Sequence, residues 1–202
     1  IYNAIPGTSF ENIYPTYSML KRFIQNEGDD IFKDNMTVIS PDTGAMDRAI
    51  YYANVLGLDV GMFYKRRDYS VIVNGKNPIV QHEYIGGPLE GKRVLIIDDM
   101  IASGGSMIDT ARQLKEMKAK RVFICCTFGL FTEGMSAFDE AYAKDYFDRV
   151  VCTNLNYLSP EAKEREYFVE ADMSKFLASI IDFMNHDISM ENVLTPTEKI
   201  HE

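Results

Sequence analysis

Residues 94–107 read VLIIDDMIASGGSM, and no other stretch restricts the fold as much. Val94, Leu95, Ile96 and Ile97 show no polar alternation. Both faces of that segment must therefore be covered, which is the condition of a strand inside a parallel sheet flanked by helices. Asp98 and Asp99 follow at once, and the small-residue turn Ser103-Gly104-Gly105-Ser106 then opens a new segment. In that segment Met107, Ile108, Ala111, Leu114 and Met117 recur at helical spacing. The order is strand, acid pair, glycine-rich loop, helix N-terminus. Such a loop offers backbone N–H groups and the positive end of a helix dipole to an anion, and glycine removes the side chains that would block its approach. No Lys follows the second glycine as in a Walker loop, and the spacing is not GxGxxG. A phosphate at the loop with carboxylates beside it points to a sugar phosphate whose hydroxyls the acids receive. The competing reading is an ordinary strand–turn–helix with surface aspartates, which leaves the acid pair and the paired glycines as coincidence. A bulky residue at Gly104 is expected to remove anion binding and spare the fold.

The rest of the chain repeats the alternation. Tyr17, Leu20, Phe23 and Ile24 predict a helix after Pro15, and MTVIS a short strand ending at Ser40. Ala45, Ala49, Ile50, Ala53 and Leu56 mark a second helix, closed by Gly57. Residues 58–64 read as a strand, 65–77 as a mobile loop and 78–85 as an extended segment. RVFICCTFGLF is another continuous apolar strand, residues 138–144 a helix and 149–153 the last strand. Met173, Phe176, Leu177, Ile180, Ile181 and Met184 predict the apolar face of a closing helix. This pattern specifies an α/β fold with a doubly wound, mainly parallel sheet. Residues 187–202 form a polar tail.

Composition then excludes several classes. At 202 residues and 46% apolar content the chain fits one domain with a sizeable core. A net charge of −9 argues against nucleic acid as a partner and gives no attraction to a membrane surface. Cys125, Cys126 and Cys152 lie in apolar runs without metal or CxxC spacing, so buried reduced thiols and a cytoplasmic setting are expected. His82, His186 and His201 are isolated and receive no role. The 11 methionines fall mostly on helix faces as packing material. One dense cationic run stands out, Lys65-Arg66-Arg67.

VLIIDDMIASGGSM closely resembles the phosphoribosyl pyrophosphate motif of type I phosphoribosyltransferases and ribose-phosphate pyrophosphokinases. The resemblance implies that Asp98 and Asp99 meet the ribose hydroxyls, and that Ser103, Gly104, Gly105 and Ser106 hold the 5-phosphate. SPDTGAMDRA (residues 40–49) and YKRRDYS (residues 64–70) resemble the pyrophosphokinase branch. There Asp42 would be a Mg²⁺ ligand, and Lys65 and Arg67 the cations that close on the ATP phosphates. Asp42 has a second reading as a helix N-cap, and the cationic run as a solvated surface. Resemblance to the C-terminal half of those enzymes spans nearly the whole chain. It implies a phosphoribosyltransferase-like domain over residues 1–186, ribose 5-phosphate and ATP as substrates, and a homo-oligomer. It also implies a further N-terminal domain that completes the ATP site. Three positions depart from the family: Ala102 stands for Asp, Phe128 for a common His, and Tyr64 for an acid. A nucleobase phosphoribosyltransferase and a non-catalytic regulatory homologue are the alternatives.

Overall fold

The structure is a computed structural model that describes residues 13–28, 35–67 and 79–189. Helix α1 (Thr16–Glu27) precedes strand β1 (Met36–Ser40), helix α2 (Met46–Leu56) and strands β2 (Asp59–Arg67) and β3 (Ile79–Ile85). After β4 (Arg93–Ile101) the chain alternates through α3 (Gly105–Glu116), β5 (Arg121–Gly129), α4 (Ser136–Ala143) and β6 (Arg149–Thr153). The short α5 (Pro160–Lys163), β7 (Phe168–Ala171) and α6 (Ser174–Asn185) follow. The seven strands form one sheet in the order β3-β2-β1-β4-β5-β6-β7, with only the β2–β3 pair antiparallel.

The apolar run in β4 has the predicted cause. Val94 and Ile96 belong to a core built with Met107, Ala111 and Leu114 of α3 and Phe138 of α4. Their neighbours Leu95 and Ile97 belong to a second core, built with Leu20 and Phe23 of α1 and Ala49 and Ala53 of α2. Alternate side chains thus enter opposite layers, and neither face can be polar. The chain winds from β1 to β2 and β3 in one direction, then from β4 to β7 in the other. The strand order reverses between β1 and β4, and in such sheets the crevice beyond the carboxyl ends at that reversal is where ligands bind.

Four expectations need correction. Strand β4 does not stop before the acids but continues to Ile101, because β5 extends alongside it as far as Gly129. Residues 65–67 are strand, paired with β3 (Lys65 opposite His82, Arg66 opposite Gln81), so the anticipated loop begins no earlier than residue 68. Residues 68–77 lie outside the described residues. Strand β6 is not the last, since β7 pairs with it through Phe168, Val169, Glu170 and Ala171. Finally, the apolar faces were drawn too wide. In α2 the buried residues are Ala49, Tyr52, Ala53, Val55 and Leu56, and Ile50 lies on the other side of Ala53 and is exposed. In α6 only Ile180 is buried, while Leu177, Ile181 and Met184 are exposed, because the sheet ends at β7.

Gly57 closes α2 as expected, with φ +66°, while Leu58 N–H reaches back to the Ala53 carbonyl at 2.9 Å. All three cysteines are free and buried.

Candidate functional site

Two strand-to-helix passages meet at the reversal of strand order. In the first, Ser40 ends β1 and its Oγ donates to the Asp42 carbonyl at 2.6 Å. The Asp42 carboxylate turns forward: Oδ1 accepts from Gly44 N–H at 2.9 Å and from Ala45 N–H at 3.2 Å. These bonds cap a single 3₁₀ turn, Thr43–Ala45, that leads into α2.

In the second passage Asp98 and Asp99 lie in the last turns of the β4 ladder. Asp98 is the more enclosed, its side chain 21% exposed against 58% for Asp99. Its Oδ1 accepts the Asp99 N–H at 2.8 Å. Burial pushes the Asp98 carboxyl up to about 6, and the neighbouring Asp99 and Asp42 charges push the same way against that amide bond. Register brings Asp42 to this level: Ile39 stands opposite Ile96, so Asp42, just past the end of β1, lies alongside the Asp98–Asp99 stretch of β4.

Beyond β4 the chain bends through Ser103 and Gly104 into α3. Gly104 sits at the N-cap with φ +89° and ψ −13°, and no side chain caps the helix. Its Cα hydrogen faces the Phe138 ring, where a Cβ would come within 2.2 Å of Cε2. Phe138 is fully buried and packs edge-on against Phe131 (5.3 Å) and Phe147 (6.0 Å), so it has nowhere to go. The expectation that Gly104 could be enlarged without harm to the fold is therefore wrong. Gly105 differs: a Cβ there meets nothing within 4 Å. The first amides of an uncapped helix have no intrahelical acceptor, so this start can receive an anion.

Two features were missed. Arg48 of α2 brackets the acid pair, with Nη1 3.9 Å from Asp98 Oδ1 and Nη2 3.6 Å from Asp99 Oδ2. A signal was available, because Arg48 lies in the first turn of α2, where a cation opposes the helix dipole. The second feature is a cavity of about 300 Å³ beside Asp99, lined by Tyr14, Arg48, Tyr52, Phe128 and Leu155 among others. Tyr14 stacks on Tyr51 at 5.0 Å, and Tyr14, Phe128 and Leu155 all remain partly open to solvent. Phe128, read as a departure from a family pattern, is thus part of an aromatic wall.

The sequence pattern of the phosphoribosyl transferase domain family matches residues 8–163. This chain belongs to that family. It is 37% identical over 129 residues to the ribose-phosphate pyrophosphokinase of Pyrococcus abyssi, covering 64% of this chain and 40% of that protein. With the ribose-phosphate pyrophosphokinase of Vibrio parahaemolyticus it shares 32% identity over 181 residues, 89% of this chain and 53% of that protein. The phosphoribosylpyrophosphate synthetase of Mycobacterium smegmatis matches in fold with a TM-score of 0.64, at 24% identity over 84% of this chain and 51% of that one. The chain thus spans about half the length, or less, of the curated relatives it matches.

Within this phosphoribosyl transferase domain, Asp42, Asp98, Asp99 and the turn Ser103–Ser106 lie at one end of the sheet. Lys65 and Arg67 stand apart from them. Ser40, the end of β1, pairs with Met62, so β2 continues three residues further to Lys65 and five to Arg67. At about 3.3 Å per residue, the β2–β3 pair overhangs the crevice by about 10 to 17 Å. Among the described residues no three His, Cys, Asp or Glu side chains are grouped so as to hold a metal ion. Asp42 is observed as a cap.

Proposed function

We propose that this chain provides the ribose 5-phosphate site of a ribose-phosphate pyrophosphokinase. The single observation that carries the reading is the uncapped, glycine-entered start of α3 directly beyond two carboxylates. Phosphate would occupy the amides at residues 103–106, with Ser103 and Ser106 hydroxyls able to donate as well. The ribose hydroxyls would donate to Asp98 and Asp99, which accept hydrogen bonds and would repel a phosphate placed directly on them. In the reaction the sugar 1-hydroxyl oxygen attacks the β-phosphorus of ATP, the bond from that phosphorus to AMP breaks, and the hydroxyl proton leaves. Catalysis of such a transfer is mostly alignment and charge neutralisation. The β2–β3 overhang gives Lys65 and Arg67 a position from which to reach a second substrate over the crevice.

Mg²⁺ fits the donor set. It is a hard cation that takes one or two carboxylates and completes its shell with water and substrate phosphates. Asp98 and Asp99 offer such a pair, and Asp42 the neighbouring carboxylate. The ion would neutralise the transferring phosphates. The residues of the chain itself would hold the sugar by its hydroxyls at Asp98 and Asp99 and by its phosphate at residues 103–106.

Calorimetric titration with ribose 5-phosphate tests the reading. Binding is expected, and the Asp98→Asn/Asp99→Asn double variant should lose it. Unchanged affinity in that variant overturns the assignment. ATP turnover is expected only when the chain is joined to the further domain of the full-length relatives, with AMP release dependent on ribose 5-phosphate as the assay.

One observation favours a second reading. The aromatic cavity of Tyr14, Tyr52 and Phe128 beside Asp99 could take a flat heterocycle next to the sugar, as a nucleobase phosphoribosyltransferase requires. Base-dependent consumption of phosphoribosyl pyrophosphate would select it.

A further inference from the structure

Away from the crevice, a groove of about 640 Å³ separates α1 from α6 near the end of β7. Three cations line it, Lys21 and Arg22 from α1 and Lys175 from α6, in a chain of net charge −9. Two acids share the wall, and both are engaged within the fold. Asp172 accepts from Ser174 N–H (2.9 Å), Ser174 Oγ (2.6 Å) and Asn154 Nδ2 (2.7 Å), bonds that hold its carboxyl below the ordinary range. Glu170 pairs with Lys163 at 2.8 Å.

The cations are less well served. Arg22 is oriented by its Nε, which donates to the Glu170 carbonyl at 3.1 Å. Lys21 and Lys175 form no ion pair with any described residue, and Lys21 Nζ stands 5.6 Å over the Tyr17 ring. Lys175 occupies the first turn of α6, which contains no acidic residue and where a cation opposes the helix dipole. Helix stability therefore does not explain its place. Tyr17 and Phe176 supply half-buried aromatic walls.

We propose that this groove binds a small organic anion in which a flat ring carries a phosphate group. The ring lies against Tyr17 and Phe176, and the phosphate is met by Lys21, Arg22 and Lys175 through charge-assisted hydrogen bonds. The volume is in the range of small-molecule sites, about 300–1,000 Å³. The groove lies three strands from β4, so this site stands or falls independently of the sugar-phosphate reading.

Pyridoxal 5′-phosphate is a suitable probe, because it joins a flat ring and a phosphate to an aldehyde that condenses with lysine. Brief exposure, borohydride trapping and peptide mapping report labelling lysine by lysine. Lys21 and Lys175 should be labelled about tenfold faster than the exposed Lys120 and Lys144. AMP should suppress that labelling and adenosine should not, and Gly105→Leu, which alters only the crevice, should leave it unchanged. Uniform labelling of the four lysines, or equal suppression by AMP and adenosine, overturns the proposal.

Discussion

The two passages at the crevice differ in who satisfies the helix that follows. After β1, Asp42 turns back on its own backbone and fills the amides of Gly44 and Ala45. After β4, Gly104 has no side chain to offer and α3 begins uncapped. The 3₁₀ turn after β1 is capped by a side chain of the chain itself, and the start of α3 is not. The acid at the same level caps a turn in the first passage and lies beside Arg48 in the second. An aspartate near a helix start is thus not informative until its acceptor oxygens have been traced.

The largest effect expected from disturbing this contrast is at Gly104. Any L-residue there meets both a left-handed backbone and the Phe138 ring. Gly104→Leu should cost about 3 kcal/mol or more of stability in urea denaturation. Gly105→Leu should change stability by less than about 1 kcal/mol and weaken ribose 5-phosphate about tenfold or more. If both variants unfold alike, the loop cannot be separated from the core.

A smaller effect is expected at Asp98. Its folded carboxyl is raised from 3.8 to about 6, so folding favours the protonated form. The stabilisation from this group is complete below about pH 4 and lost as pH rises through about 6. Asp98→Asn should therefore exceed the parent in stability above that range and converge with it toward acid. The gap should be about 1–2 kcal/mol, reduced from what the shift alone implies because water reaches part of the carboxyl. A variant gap that is independent of pH would contradict the burial of Asp98.

The smallest effect separates capping from chemistry at Asp42. Asp42→Ala should cost about 1 kcal/mol, and Asp42→Ser should recover most of it by keeping an acceptor. With the chain joined to the further domain of the longer relatives, Asp42→Ser should still impair ATP turnover under the proposed Mg²⁺ role. Full turnover in that variant would confine Asp42 to its cap.

The centre of the fold was more legible than its margins, for physical reasons. A strand covered on both faces must be apolar throughout, so β1, β4 and β5 announce themselves. Strand β7 is four residues long and carries Glu170 at the sheet edge, which leaves neither alternation nor an apolar run to read. Helical periodicity gives an apolar face but not how much of it is covered, hence the excess at Ile50, Ile181 and Met184. Of the two adjacent glycines, Gly104 has a geometric reason in its positive φ and the Phe138 ring, whereas a Cβ at Gly105 would meet nothing within 4 Å. Arg48 is marked locally only by its unfavourable place in the first turn of α2, while its pairing with the acids and the aromatic cavity depend on which helices flank β4, and that is tertiary information. The continuation of β2 through Lys65 to Arg67 likewise follows from β3 pairing with β2, which no local pattern encodes.

Arg48 among three carboxylates has one more consequence. Asp42, Asp98 and Asp99 outnumber this guanidinium, so the described residues of the crevice carry an excess of acidic groups. An anion seated at the α3 amides raises that excess, and a divalent cation at the carboxylates lowers it. Each ligand therefore tightens the other by the same factor, since coupling between two equilibria is reciprocal. Under the proposed function, sugar phosphate and metal would act as mutual effectors at this site. Affinity for either one, measured alone, would then understate what the pair achieves together.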